Sequence, residues 1–220
     1  DGETRLAEAG RNFDFSLQQA FATGNPDIVT PATLKFLDVV ERSRQYPSET
    51  FRKLQNIYVI TNPWKISSYI YLLTASIFGL YFFFGNRKIY WTAIGFLAAG
   101  FLVHSSAVLI RGYLTGHIPV SNMYESITFT SWAVMLIAGA FELWNRKGLV
   151  GVGAAGLGFL FLTAAGLMPL HESRIHPLRA VLNSYWLNIH VTMMLISYAA
   201  FAIAAFFAGL YLVKHFTGRE

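Results

Sequence analysis

His190 is the side chain of this sequence that is best placed to bind a metal ion. It lies in Tyr-Trp-Leu-Asn-Ile-His-Val, close to the start of the last long apolar run. An ionisable side chain inside a membrane is costly and by default indicates a functional site, and neutral imidazole is a good ligand for iron, copper or zinc. A hydrogen bond between neighbouring helices would explain the same histidine without any ligand. We therefore predict that His190 is either a metal ligand or a packed polar residue.

Other ionisable residues also have both a structural and a functional interpretation. His104 lies inside the second long apolar run, where a hydrogen bond to a neighbouring helix competes with ligand binding or proton transfer. Asn122 and Glu125 have the spacing of a capping box that begins a helix. Glu142 and Arg146 are one helical turn apart and can form an ion pair. None of these patterns alone requires a catalytic role.

The composition places these residues in a membrane protein. Of the 220 residues, 54% are hydrophobic and 13% are charged, whereas soluble domains contain about 25% charged residues. Cysteine is absent, which excludes thiolate catalysis, disulfides, iron–sulfur ligation and a Cys-x-x-Cys-His attachment site from this chain. The net charge of +5 is not arranged as a basic stripe with interleaved aromatic residues, so we expect no nucleic-acid partner.

Five apolar runs are each about as long as the twenty residues that a membrane helix needs. The sequence therefore predicts an all-α, polytopic membrane protein with an extramembrane helical segment at 1–62 and a transmembrane part at 63–220. Helices that begin near Thr30-Pro31 and Pro47-Ser48 are predicted within the first segment, lying against the bilayer or a partner. The predicted spans are 66–85, 90–111, 124–144, 149–168 and 187–213.

Basic residues between the runs predict the orientation of the chain. Asn-Arg-Lys occurs at 86–88 and again at 145–147, and positive residues favour the cytoplasmic side. The N-terminal segment and the loops 112–123 and 169–186 are then extracytoplasmic, and His190 lies at the outer edge of the last span. The fourth span is rich in glycine, which predicts close helix packing.

Two separate segments resemble one known family. Residues 111–126, Arg-Gly-Tyr-Leu-Thr-Gly-His-Ile-Pro-Val-Ser-Asn-Met-Tyr-Glu-Ser, resemble the Gly-His-x-Pro-x-Ser-Asn-x-Tyr-Glu-Ser stretch of the CcsA/ResC cytochrome c biogenesis family. Residues 183–194, Asn-Ser-Tyr-Trp-Leu-Asn-Ile-His-Val-Thr-Met-Met, resemble that family's Trp-Leu-x-x-His-Val segment. The resemblance covers roughly residues 90–214.

The resemblance implies a protein of the bacterial inner membrane that binds haem at the outer face and presents it for covalent attachment to apocytochrome c. The haem would be b-type, non-covalently held and in transit. His190 matches the family's external axial haem ligand, and Trp186, Arg111 and His104 are further candidate haem contacts. The implied partners are apocytochrome c, the lipid bilayer, and a CcsB/ResB-type protein or domain. The extracytoplasmic segment before the spans is similar to the fused form, in which that domain precedes the membrane part.

The sequence also departs from the family pattern. The tryptophan-rich external motif, the second external histidine and the later membrane histidine are not found, and the five tryptophans do not cluster. We therefore expect a partial sequence with an incomplete haem site. The complete protein would contribute to a haem lyase that forms thioether bonds, and this part alone is predicted to be inactive.

Two other functions remain open from the sequence. A respiratory membrane subunit could hold a b-type haem for electron transfer between two histidines on facing helices, and His104 with His190 is the candidate pair. A structural or transport subunit would instead contain only packed polar histidines.

Overall fold

The computed structural model describes residues 2–41, 47–169, 173 and 184–218. All regular structure in these residues is helical, which confirms the predicted all-α class. The chain divides into two compact units, Asp1–Lys53 and Leu54–Glu220. The prediction from the sequence placed a boundary between 62 and 63. Most of the predicted loop 169–186 lies outside the described residues.

The first unit contains two helices and a short 3₁₀ turn. Helix α1 is Gly2–Thr23, the turn is Pro26–Ile28, and helix α2 is Val29–Glu41. The Asn25 side chain caps the turn by accepting a hydrogen bond of 3.1 Å from the backbone N–H of Asp27. Helix α2 begins one residue before the predicted Thr30-Pro31 start, whereas α1 had not been predicted.

Five helices of the described residues are long and apolar enough to cross a membrane, which confirms the number of predicted spans. Helix α3 begins at Glu49, next to the predicted Pro47-Ser48 start, and Ser48 Oγ accepts a hydrogen bond from Phe51 N. The first candidate span includes both α3 and α4, Glu49–Phe84. The helices are α3 Glu49–Thr61, α4 Pro63–Phe84, α5 Arg87–Thr115, α6 Met123–Asn145, α7 Leu149–Gly166 and α8 Tyr185–Phe216.

Helix α4 packs against α5 and α7, and α6 packs against α7 and α8. Helix α8 buries only Leu195 and Ala199 fully. Leu195 joins Val120 and Phe129 in a core cluster, against which Val191 packs. The first half of α8 is therefore held against α6 and the α5–α6 connection by apolar contacts. These contacts fix the direction in which the neighbouring residues of α8 point.

The Glu142 carboxylate caps the helix that follows its own. Its two oxygens accept hydrogen bonds from the backbone N–H groups of Gly148, at 2.7 Å, and Gly151, at 2.9 Å. These are orphan donors at the beginning of α7, where Gly148 offers no side-chain cap. The predicted pair of Glu142 with Arg146 is wrong. Arg146 lies beyond the end of α6 in the left-handed region, with φ of 53°, and its Nε donates to Leu143 O.

The glycines of α7 allow close contact with its neighbours, as predicted. A Cβ atom on Gly153 would lie 2.3 Å from Phe206 of α8, and one on Gly151 would lie 2.5 Å from Phe78 of α4. Such distances are shorter than any stable carbon–carbon contact. Helix α7 is thus a packing helix, whose missing side chains let aromatic rings of two neighbours approach its backbone.

We expect Gly151→Ala to destabilise the protein and Gly156→Ala to leave it unchanged or slightly more stable. The new methyl at Gly151 overlaps the buried Phe78 ring, which costs about 1–3 kcal/mol, whereas a Cβ on Gly156 meets nothing within 4 Å. Alanine also favours a helix over glycine by about 0.5–1 kcal/mol. Thermal unfolding of both variants in detergent measures the difference. Equal melting temperatures would contradict the packing described for α7.

Candidate functional site

His190 lies in the second turn of α8 with its side chain exposed. Its ring forms no hydrogen bond with any described residue, so the helix–helix hydrogen bond considered for it is not present among them. Trp186 lies four residues earlier, on the same face of the helix. Trp186 and Tyr185 are 76% and 75% exposed, with ring centroids 6.0 Å apart. The site therefore offers an imidazole and an aromatic surface, both accessible from outside the protein.

The number of donor side chains that converge near His190 limits the ligands that this site can bind. Among the described residues, no three His, Asp or Glu side chains converge as they would on a metal ion. A single imidazole can still serve as a ligand of iron that a porphyrin already holds through its four ring nitrogens. Within the described residues, His190 is thus a single donor and not part of a cluster that could hold a free metal ion.

His104 has a different environment, because it is fully buried and both ring nitrogens have partners. Its Nε2 lies 3.2 Å from the Thr128 carbonyl oxygen, and its Nδ1 lies 3.0 Å from the Tyr71 hydroxyl. Because a carbonyl can only accept, Nε2 carries the proton and Nδ1 accepts from Tyr71. His104 thereby links α5 to α4 and α6. Haem contact by His104 stays a prediction, and it would require one of these bonds to break.

Arg111 and Glu125 form a buried ion pair at the end of the bundle where α5 connects to α6. Arg111 Nε lies 2.8 Å from Glu125 Oε1, and the two side chains are 1% and 2% exposed. Arg111 Nη1 also donates to the Ser173 carbonyl oxygen at 2.9 Å, and its guanidinium lies 5.0 Å from the centre of the Tyr124 ring. Haem contact by Arg111 stays a prediction, since its described contacts are all internal.

Glu125 also organises the connection before α6. Its Oε2 accepts hydrogen bonds from Ser121 N at 2.9 Å and from Ser121 Oγ at 2.7 Å. Asn122 caps α6 by accepting from Glu125 N at 2.9 Å. The predicted cap at Asn122 is confirmed, but the carboxylate reaches Ser121 rather than the cap residue itself. One side chain therefore holds both α5 and the loop.

Further aromatic residues extend this network to α3 and α4. The Tyr58 hydroxyl lies beside Arg111 and accepts a hydrogen bond from Trp64 Nε1. The Trp64 ring meets the His104 ring edge-on, with centroids 5.4 Å apart. A cavity of about 500 Å³ adjoins these groups and includes Trp64, Tyr124 and Ser173 in its lining. The network ties four helices together at this end of the unit.

His117 is the histidine of the α5–α6 connection. Its Nδ1 lies 2.8 Å from the Ile118 carbonyl oxygen and must carry the proton there. Its Nε2 is buried, is left as an acceptor, and has no hydrogen-bond partner among the described residues. The sequence pointed to the Gly-His-x-Pro pattern but not to this unpaired nitrogen.

Removing one member of the Arg111–Glu125 pair should be more damaging than replacing both. Arg111→Met leaves the carboxylate buried without its counter-charge, which costs about 3–5 kcal/mol. The double variant Arg111→Met/Glu125→Gln removes both charges and retains an acceptor for Ser121 N. We expect its loss of unfolding free energy to be smaller than that of Arg111→Met alone. Denaturation of the single and double variants in detergent measures this coupling, and strictly additive losses would contradict a buried pair.

Comparison with known proteins gives the same family as the two motifs. The family described as cytochrome C assembly protein matches residues 120–218. The cytochrome c biogenesis protein CcsA of Lemna minor is 36% identical over 125 residues, which are 54% of this chain and 38% of that protein. CcsA of Chlorella vulgaris is 32% identical over 162 residues, covering 72% of this chain and 51% of that protein.

Protein NrfI of Wolinella succinogenes is 31% identical over 189 residues, covering 79% of this chain and 20% of that protein. The chain thus spans between 20% and 51% of the length of these three relatives. The family match includes all of α6, α7 and α8, and therefore His190 and Trp186. The family match and these relatives show that the chain belongs to the CcsA-type family of cytochrome c assembly proteins.

Proposed function

We propose that this protein takes part in cytochrome c maturation by binding haem through His190 and presenting it to apocytochrome c. The observation that carries the proposal is the exposed imidazole of His190, which has no partner among the described residues and lies within the family match. Histidines that only stabilise a fold resemble His104, whose two nitrogens are both occupied. His190 instead retains its capacity to bind a ligand.

The haem is the substrate in this proposal, and each residue has a limited role. His190 holds an axial position of the iron, and Trp186 supplies apolar aromatic surface on the same helix face. Helix α8 holds both at a fixed angle, because Leu195 and Ala199 anchor it against the bundle. When bound, haem supplies the vinyl groups to which cysteine thiols add. This chain contains no cysteine, so the thiols belong to apocytochrome c.

The proposal favours haem delivery over electron transfer between two histidines. A b-type haem held by His104 and His190 would need a free nitrogen on His104, and that ring is hydrogen-bonded on both sides inside the protein. We propose that other components of the assembly supply the second ligand of the haem iron and the tryptophan-rich surface. Thioether formation is then an activity of the complete assembly.

We further propose that the protein lies in the bacterial inner membrane with His190 on the extracytoplasmic side. The N-terminal segment 1–62 and the loops 112–123 and 169–186 would share that side. The basic residues at 86–88 and 145–147 would then face the cytoplasm. A CcsB/ResB-type partner would complete the assembly, with the exposed apolar surface of α8 available to its helices or to lipid.

Haem binding by His190 can be tested by chemical rescue. The purified chain is loaded with haemin, and the ratio of Soret to protein absorbance is measured for wild type, His190→Ala and His190→Gly. We expect both variants to lose most of the wild-type signal, because the axial imidazole is gone. Added imidazole should restore the spectrum of both variants, because the exposed position leaves space for it to reach the iron.

His215→Ala is the matched control, because His215 is also an exposed histidine of α8 but lies at its opposite end. Its spectrum should equal that of wild type, and circular dichroism should show that every variant is folded. Wild-type haem content in folded His190→Gly would refute the ligand assignment.

A further inference from the structure

A second site lies at the opposite end of the membrane unit, where α4 connects to α5 and α6 connects to α7. A cavity of about 240 Å³ opens there between the helix ends. Two arginines from different connections line it, Arg87 and Arg146. The other lining residues are Tyr81, Gly85, Tyr90 and Trp91. The cavity is independent of the His190 region and of the Arg111–Glu125 network.

The basic residues around this cavity outnumber the nearby carboxylates. Lys88 and Lys147 are the sequence neighbours of the two arginines. Glu142 is the one acidic residue in the sequence between 50 and 171 besides Glu125. Both oxygens of Glu142 already accept hydrogen bonds from the beginning of α7. Four basic residues thus lie at or next to the cavity against this one carboxylate, which gives the site a net positive charge.

The backbone at Arg146 has a conformation that favours glycine. Its φ of 53° lies in the left-handed region, which is strained for any residue with a side chain. Helix α4 ends at the same side of the unit, and there the left-handed position is occupied by Gly85, as is usual at helix ends. Arg146 Nε donates to Leu143 O, and its terminal nitrogens donate to no described residue. The backbone of Arg146 is thus strained, and the terminal nitrogens of its guanidinium are available to a ligand.

The surroundings of the two arginines indicate an amphipathic ligand. Trp91, which lines the cavity, is 45% exposed, and α4 ends with large exposed apolar side chains, including Phe83, which is 87% exposed. Exposed aromatic residues at a helix end are typical of the membrane interface. A ligand at this position would place an anionic group between the arginines and an apolar part along the helices.

We propose that this cavity binds the phosphate of an anionic phospholipid, with Arg87 and Arg146 as its principal contacts. Guanidinium groups bind phosphate oxygens in paired, charge-assisted hydrogen bonds. Basic pockets between membrane helices are a recurrent solution for anionic lipid head groups. The acyl chains lie along the exposed apolar surface of α4 and α5. Free phosphate offers the same oxygens but gains nothing from that surface.

The proposal can be tested by titrating the delipidated, purified chain in detergent with phosphatidylglycerol, with phosphatidylcholine and with inorganic phosphate. The rise in melting temperature and the apparent Kd are measured for each. We expect phosphatidylglycerol alone to stabilise the wild-type protein strongly. Removing one arginine should weaken binding roughly fivefold, the equivalent of about 1 kcal/mol for one basic residue near an anionic lipid surface. Equal effects of phosphatidylglycerol and phosphatidylcholine would overturn the proposal, as would an equal effect of inorganic phosphate.

Two variants separate lipid binding from folding. Arg146→Gly relieves the left-handed strain, so its melting temperature without lipid should be at or above that of wild type while its response to phosphatidylglycerol falls. Arg5→Gln/Arg11→Gln is the charge-matched control for Arg87→Gln/Arg146→Gln, because both of its arginines are exposed residues of α1. The control should respond like wild type. A full lipid response in Arg87→Gln/Arg146→Gln would refute the assignment.

Discussion

Taking the charges of Arg111 and Glu125 out of solvent costs several kcal/mol for each ion, and their mutual attraction offsets this only when every remaining hydrogen-bonding group is satisfied. The structure meets that condition closely. Glu125 receives Arg111 on one oxygen and Ser121 on the other, while Arg111 also reaches the Ser173 carbonyl. Such a pair adds little stability compared with an apolar core, but it tolerates few alternative arrangements. It therefore specifies how α5, the loop before α6 and Ser173 are arranged.

That arrangement determines which histidine is available to a ligand. At this end of the bundle both ring nitrogens of His104 are hydrogen-bonded inside the protein, one to Tyr71 and the other to Thr128. Val120, in the loop that Glu125 orders, packs against Leu195 of α8. His104 is thus occupied by its own neighbours, while separate apolar contacts at Leu195 hold α8 in place and His190 stays exposed. Residue chemistry is identical in the two histidines, and only the neighbours differ.

The sequence predicted what depends on local pattern. Span lengths follow from apolar runs, the cap at Asn122 follows from its position before a helix, and the packing role of α7 follows from its glycines. Residues with distant partners were harder to assign. Arg111 and Glu125 are 14 positions apart, and no local rule connects them across a loop. Helix α1 was missed because its sequence is largely polar and has no clear capping signal.

Glu142 shows why local rules fail even for neighbours. The spacing of Glu142 and Arg146 satisfies the rule for an ion pair on one helix, but the rule requires that both residues be helical. The helix ends before Arg146, and the orphan N–H groups of α7 are better partners for the carboxylate than an exposed guanidinium in solvent. One consequence is that Arg146 forms no ion pair with Glu142. The short connection between α6 and α7 therefore separates a buried carboxylate from an exposed cation, and that separation gives this end of the membrane unit its positive surface.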